Sequence, residues 1–498
     1  MKTLFIILLS LINISYASNQ SRNISIYQTS RQGDRLKLID KPFDNIRQTD
    51  YSIKIDPNKT YQTIIGIGSS FTESAAAVWF ELSKTKQDEL INDYFSPNGA
   101  WISLTRTHIG SCDFSVKNYS YAPVPDDIEL VHFNIDPDRK YLLPLIKAAK
   151  GVSNSTFKII ASPWTSPPWM KTNLDWYGGE LCKSHYQTFS DYISKYIKMY
   201  QKEGIDIWGI TPENEPLGND SNWESLHFNP HQMLDFIKHY LGPTLSIDHP
   251  SVSIWMYDQN REEEMIEWAH TIYSDELASS YVMGTAVHWY QSTVDIGGDI
   301  LDQHQNLYPD KQILHTEGCI DSIGNDEPIG SWLDDDWYWR AEATDWGYFW
   351  AKPENKKNHP KYKPFYRYTR DLIKGFNHHL VGWIDWNMML NERGGPNHAG
   401  NFCLAPILVN SGLDSYHLTP LYYSIAHVSK FVRPGAKRIS LSGCDDQLMG
   451  VSFVNPDKTK VLILFNASTK NITITLETGD FASCHEIPAE ALQTIIIN

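Results

Sequence analysis

The chain has 498 residues, enough for one large α/β domain and a smaller second one, each with a buried core. A formal net charge of -16 excludes a nucleic-acid partner as the natural reading, because the phosphates would be repelled. The 17 Trp and 13% aromatic content exceed what core packing needs, and surplus indoles suit the apolar faces of sugar rings.

Residues 1–17 have the pattern of a signal peptide: Lys2, an apolar run from Leu4 to Ile12, then small Ser15 and Ala17. That run is too short to span a bilayer. The expectation is an exported protein: secreted, periplasmic or lysosomal. Residues 18–55 hold short alternating runs such as Asn23–Tyr27, which read as half-exposed strands. Apolar β-branched runs then recur between helical patterns: Tyr61–Ile67, Trp101–Thr107, Phe157–Ala161, Ile205–Ile210, Val252–Met256, Val282–His288, Gln312–His315 and Val381–Asp385. Eight such runs are the count for a (β/α)8 TIM barrel over residues 56–430. Tyr186–Lys202, and His231–Tyr240 after Asn229-Pro230, read as helices between them. Short alternating strands return over residues 431–498, as in Val461–Phe465 and Ile472–Leu476, so an accessory all-β sandwich is expected from this tail with strands of residues 18–55.

The six cysteines, Cys112, Cys182, Cys319, Cys403, Cys444 and Cys484, lack zinc-ligand spacing. Cys112 and Cys319 read as buried thiols, and Cys444 with Cys484 is a candidate disulfide. Asn-x-Ser/Thr sequons begin at Asn23, Asn58, Asn118, Asn154, Asn219, Asn466 and Asn471.

The chemistry-bearing residues sit where these runs end, which in a parallel barrel is where reactive groups collect. After the second run come Arg106 and Gly110-Ser111-Cys112-Asp113-Phe114-Ser115. Asp113 there suits two vicinal hydroxyls and Arg106 a neighbouring carboxylate; a turn cap and a structural ion pair are the plain alternatives. After the third, Ala161-Ser162-Pro163-Trp164-Thr165-Ser166-Pro167-Pro168-Trp169 is a rigid loop that presents two indoles. The fourth delivers Asn214 and Glu215 ahead of Pro216, and the seventh delivers Glu317 ahead of Gly318-Cys319. His288, Trp289 and Tyr290 end the sixth, with Tyr290 placed to bond one carboxylate and His288 the other. The eighth ends in Asp385-Trp386-Asn387, followed by Gly394-Gly395-Pro396-Asn397 and Asn401, so that Trp386 and Asn401 can floor and edge a pocket. Two carboxylates at two strand ends suggest a glycosidase.

Six of these motifs, in this order across residues 61–430, resemble glycoside hydrolase family 30, and within it the glucosylceramidases. The resemblance implies Glu215 as acid/base and Glu317 as nucleophile. It also implies a glycone held by Asp113, Trp164, Asn214, Trp386 and Asn401, with Arg106, His288, Trp289 and Tyr290 in support. No metal or cofactor is implied. The expected substrate is glucosylceramide, a glycolipid approached at a membrane surface; a β-glucan or another β-glucoside is the alternative. A catalytically inactive sugar-binding protein is the rival of another class. The sequence carries no signal for oligomeric state. Three departures stand out: Gly66-Ile67-Gly68-Ser69-Ser70, read as a motif after the first strand, has Ser in place of Gly, the N-terminal cysteine cluster is missing, and Asp326–Lys363 is a longer segment carrying Trp332, Trp337, Trp339, Trp346 and Trp350. That insertion is expected to overhang the aglycone side.

Overall fold

The computed structural model describes residues 24–39, 49–153, 156–218, 220, 222–321, 331–341, 351, 353–479 and 481–498. The leader-like segment, Asn23, Asn154, Asn219, Trp346 and Trp350 lie outside them.

Eight parallel strands close into a barrel. They are β1 (Gly66–Phe71), β2 (Leu104–Ile109), β3 (Lys158–Pro163), β4 (Gly209–Ile210), β5 (Ser253–Asn260), β6 (Val282–His288), β7 (Gln312–Glu317) and β8 (Leu380–Asp385). Every residue of β1, β2 and β8 is buried, as strands covered on both faces must be, which is why these runs are continuous rather than alternating. The helix Tyr186–Lys202 matches its expected bounds and buries Phe189, Tyr192, Ile193, Tyr196, Ile197 and Tyr200, the three- and four-residue spacing of one apolar face. A capping box starts the next helix: Asn229 Oδ1 accepts from the Gln232 amide at 2.9 Å and Gln232 Oε1 from the Asn229 amide at 2.8 Å.

Several run boundaries differ from expectation: β2 starts at Leu104 rather than Trp101, and β4 is only Gly209–Ile210 within the expected Ile205–Ile210. Tyr61–Ile67 straddles two elements, since Tyr51–Thr63 is one long strand of the accessory sheet and β1 begins at Gly66. The chain crosses over between them: the Ile64 amide donates to Ala436 O and the Ile65 amide to Val381 O, each at 2.7 Å. Gly66-Ile67-Gly68-Ser69-Ser70 is therefore β1 itself and not a loop after it. The reason for glycine is contact, since a Cβ on Gly68 would lie 1.9 Å from Leu104 O on β2. The fifth strand also runs four residues past Met256, to Asn260.

Nine strands form the accessory β-sandwich sheet, in the order Lys37–Ile39, Ile24–Ser30, Ala491–Ile497, Lys460–Asn466, Leu448–Val454, Lys437–Ser442, Tyr51–Thr63, Ile472–Thr478, Phe481–Ile487. N- and C-terminal strands thus share one sheet, and their alternate residues, among them Ile26, Ile53, Leu462, Ile474 and Ile495, make its own core. His427, fully buried on the helix Pro420–Ser429, bonds Thr29 and Thr494 from its two ring nitrogens at 2.9 and 2.8 Å and so fastens both termini to the barrel.

Cys444 and Cys484 are not bridged. Cys444 follows the strand Lys437–Ser442 and Cys484 lies on Phe481–Ile487, with Tyr51–Thr63 and Ile472–Thr478 between them. Three strand spacings are about 14 Å, beyond the reach of a disulfide. The described part of the Trp-rich insertion also departs from expectation, because it folds down against the protein. Trp332, Trp337 and Trp339 are buried, Trp339 stacks on Phe365 with centroids 4.0 Å apart, and Arg31 and Arg35 pair with Asp336 and Asp335. Of the described sequons, Asn58 and Asn471 are exposed, whereas the Asn118 amide donates to Glu224 and the buried Asn466 amide to three carbonyls.

Two glycine substitutions should act in opposite directions. Gly68→Ala should cost about 3 kcal/mol or more by forcing β1 from β2, whereas Gly151→Ala, in the helix Leu142–Ser153 with nothing within 4 Å of the new carbon, should add about 0.5–1 kcal/mol. Thermal melting of the two variants against the parent measures both.

Candidate active site

At the C-terminal mouth of the barrel, six strand ends converge on one buried network of charges. Arg106 on β2 is wholly buried. Its Nη1 donates to Glu317 Oε2 at 2.5 Å, its Nη2 to Asn214 Oδ1 at 2.8 Å and to Asp258 Oδ2 at 2.7 Å, and its Nε to Ser162 Oγ at 3.2 Å. The guanidinium also lies over the rings of Trp164 and Trp386, 4.7 and 5.6 Å from their centroids, and those indoles stack on each other at 5.0 Å. A planar cation with five fixed donors suits this position, since no single point charge could serve four acceptors and two rings.

Asp258, at the end of β5, was not singled out from sequence because the expected run stopped at Met256. It accepts from Arg106, from Thr316 Oγ1 at 2.6 Å, Thr211 Oγ1 at 2.8 Å, Ser162 Oγ at 3.1 Å and His288 Nε2 at 3.0 Å. Burial alone would raise its pKa, but Arg106, His288 and these donors outweigh it and hold the carboxyl well below the usual range. The one readable signal was an acid two residues past an apolar run.

His288 joins the two halves of the site. Its Nδ1 is 2.9 Å from Glu215 Oε1 and its Nε2 3.0 Å from Asp258 Oδ1. Each ring nitrogen faces a carboxyl oxygen, and as an imidazolium the ring donates to both. Burial opposes that charge, but Glu317 and Asp258 overcome it and lift the pKa to about 9. Tyr290 OH donates to Glu317 Oε1 at 3.0 Å. Tyr290 and His288 therefore divide the carboxylates between them in the way their spacing suggested. Burial raises the Glu317 carboxyl, with Glu215 and Asp258 adding to the effect, while His288 and Arg106 oppose it. Carboxylate oxygens of Glu215 and Glu317 and a His288 nitrogen all lie within 4.8 Å of one another. Three such groups resemble a cation site, but an imidazolium that donates from both nitrogens has no lone pair for a metal.

The remaining sequence-derived residues fall into two groups. Asn214, Trp164 and Trp386 meet Glu317 through Arg106, and Asp113, with Asn401 beside it, lies near enough to Glu317 to feel its charge. Asn401 Nδ2 donates to Asp113 Oδ2 at 2.9 Å, while Asp113 Oδ1 is buried without a partner. Burial, then the charge of Glu317, lifts Asp113 to about 8, so this carboxyl is set to exchange hydrogen bonds with a hydroxyl-rich ligand. Trp289 instead lies in the packing behind the site, 2% exposed, with its Nε1 donating to Cys319 O at 3.2 Å and the Arg367 guanidinium 4.1 Å from its ring centroid. Trp169, the second indole of the loop after β3, donates to Ala122 O and borders a separate cavity of about 1060 Å³ with Trp176, Tyr119 and Tyr141. A second polar cluster was also missed: buried Glu224 accepts from Ser111 and Asn118 and pairs with His398 at 3.3 Å, joining three loops beside Asp113.

Family models match the chain as "Glycosyl hydrolase family 30 TIM-barrel domain" over residues 64–351 and 341–432 and "Glycosyl hydrolase family 30 beta sandwich domain" over residues 435–495. Mouse lysosomal acid glucosylceramidase is 31% identical over 486 residues, covering 95% of this chain and 88% of the relative. Endo-1,6-beta-D-glucanase neg1 of Aspergillus fumigatus is 25% identical over 527 residues, covering 98% of each. The solved structure of the endo-beta1,6-glucanase BT3312 superposes with a TM-score of 0.80 at 27% identity, covering 95% of this chain and 99% of that one.

Since the pKa of His288 is raised from 6.5 to about 9, its charge contributes stability that is complete below about pH 6.5 and lost as pH rises through 9. Asp258→Asn removes one of the anions responsible. The His288 ring, followed by NMR, should then titrate lower than in the parent; an unchanged midpoint would show that Asp258 does not hold the charge.

Proposed function

This chain belongs to glycosyl hydrolase family 30 and is a glycosidase, and from that premise we propose that it hydrolyses the β-glucosyl bond of glucosylceramide to glucose and ceramide by double displacement. The observation that carries the mechanism is the proximity of Glu215 and Glu317: one oxygen of each lies within 4.8 Å of the other, close enough for the roughly 5–5.5 Å carboxyl spacing of retaining enzymes.

Glu317 is the nucleophile. Arg106 and Tyr290 occupy both its oxygens, which orients the carboxylate and keeps an anion available in a buried position. Glu215, whose side chain is 20% exposed against 8% for Glu317, stands at the open side as acid/base. Attack on the anomeric carbon forms the glycosyl ester while Glu215 passes its proton to the departing oxygen. The ester is neutral, so the anion facing Glu215 is gone, and Glu215 next takes a proton from water as that water attacks. His288 stays charged and orients Glu215 throughout, and Asp113, Asn401 and Asn214 bond the glycone hydroxyls.

The preference for a glycolipid rests on two supports. One is the likeness to the mouse enzyme over nearly the whole chain. The other is the exposure of Val116, Val124, Leu174, Leu217 and Val294, all on segments that follow barrel strands at the mouth and able to form an apolar rim against a membrane surface. Export through residues 1–17 belongs to the same proposal. The similarity to two endo-β-1,6-glucanases favours a second reading, in which a β-1,6-glucan is cut.

Purified protein should release glucose and ceramide from glucosylceramide in mixed micelles and leave β-1,6-glucan intact. Oligosaccharides from the glucan with no ceramide release would reverse the choice. Proton NMR of the first-formed glucose should show the β-anomer, and the α-anomer first would end the double-displacement mechanism. Glu317→Gln should abolish turnover, and Glu215→Gln should slow it by about 10²–10⁴-fold.

A further inference from the structure

The segment just beyond the nucleophile meets the loop that carries Asn401. After Glu317 the chain enters a short strand, Ile320–Asp321, which pairs antiparallel with Cys403–Leu404 in the register Ile320↔Leu404 and Asp321↔Cys403. Cys319 and Cys403 are both 1% exposed, and their sulfurs are 3.1 Å apart across 84 residues of chain. A disulfide needs about 2.05 Å, so a shift of about 1 Å in two side chains closes it. Both neighbours are fixed: Trp289 Nε1 holds Cys319 O at 3.2 Å, and the Cys403 amide donates to Gly394 O at 3.1 Å.

We propose that Cys319 and Cys403 are a site of covalent modification, a disulfide that ties the exit of β7 to the loop 394–402. The bond joins two walls of the glycone pocket. Two residues before Cys319 stands Glu317, and two before Cys403 stands Asn401, the partner of Asp113. Cross-linking them stops the two walls from separating, and closing an 84-residue loop removes substantial freedom from the unfolded chain. No such tie is available to the other cysteine pair considered from sequence, which the intervening strands hold apart.

The oxidant is a small disulfide of the glutathione class. One cysteine thiolate attacks it, forming a mixed disulfide and releasing one small thiol. The second cysteine thiolate then attacks the protein sulfur of that mixed disulfide and releases the other. Two cysteine protons and two electrons leave the protein, and one small disulfide becomes two thiols. Because both sulfurs are buried, the exchange belongs to folding, before the two short strands meet. An exported chain encounters such an oxidant, but the chemistry does not depend on the glycosidase reading or on export.

The test is a peptide map of the full chain refolded in a glutathione redox buffer, unfolded with an alkylating agent and no reductant, then digested. The expected result is one linked pair of peptides containing Cys319 and Cys403, lost on reduction and absent in Cys403→Val and Cys403→Ser. Alkyl groups on both cysteines of the refolded parent at every buffer composition would overturn the proposal. In the linked protein, reductant should lower the melting temperature by about 5 °C or more and should not affect Cys403→Val. A linked protein whose melting ignores reductant would refute the bracing role. Glycosidase activity is measured alongside, so that loss of the link and loss of catalysis are told apart.

Discussion

The structure of the site depends on a guanidinium held fully buried at the centre of a barrel. Arg106 is fully buried, and a buried cation is tolerable only when its charge and all its donors are answered. Asp258 and Glu317 supply the counter-charges. Asn214, Ser162 and two indoles complete the surroundings. These partners come from β3, β5, β7, the end of β8 and the turn after β4, so one side chain on β2 fixes the relative heights of five neighbours. Asp258 then passes the constraint onward to His288, and His288 to Glu215. Glu215 and Glu317 do not bond each other, yet each is placed by the same chain of charge-assisted bonds.

Part of the backbone strain lies at the same place. Glu215, Tyr257, Asp258 and Asn387 all have φ between +46 and +78, a region that costs a non-glycine residue free energy and persists only where the surroundings over-determine it. For Glu215 the left-handed backbone turns the carboxylate toward His288, the Glu215 amide is pinned to Asp258 O at 3.0 Å, and Pro216 follows with its own fixed φ. For Asp258 the same geometry lets a strand residue face the mouth when the pleat alone would alternate it away. The network compensates for this strain, which joins the electrostatics of the site to its backbone.

Much of this was legible in the sequence, and the parts that were not share a cause. Continuous apolar runs marked the barrel because buried parallel strands cannot alternate. Arg106, Glu215, His288, Tyr290 and Glu317 were found because each closes such a run. Asp258 escaped because polar Tyr257-Asp258-Gln259-Asn260 continues its strand, and no periodicity marks a strand that turns polar as it nears a reactive centre. The run Tyr61–Ile67 was misdivided because a sandwich strand passes directly into a barrel strand with no turn signal between them. Trp counting misled in the insertion, where Trp337 and Trp339 are core; composition cannot tell an indole that stacks on sugar from one that stacks on Phe365. Cys319 and Cys403 stayed apart in the reading because their pairing depends on two short strands, and register is a tertiary property.

The asymmetry of the pocket bears on what the enzyme can select. Trp164 and Trp386 are 2% exposed and Glu317 is 6% exposed, so the glycone side is closed and built almost wholly from strand ends. That wall has little freedom to vary, because Trp164, Trp386 and Glu317 each also serve Arg106. On the side of Glu215, whose side chain is 20% exposed, the segments after the barrel strands carry the exposed Leu174, Leu217 and Val294. On the proposed reading, chemistry and choice of leaving group are separable: the charges near Arg106 serve bond cleavage, while the apolar or polar character of the segments around Leu174, Leu217 and Val294 favours a lipid or a further sugar at the departing position. A single barrel can then serve both kinds of substrate by exchanging loops, with its central cation undisturbed.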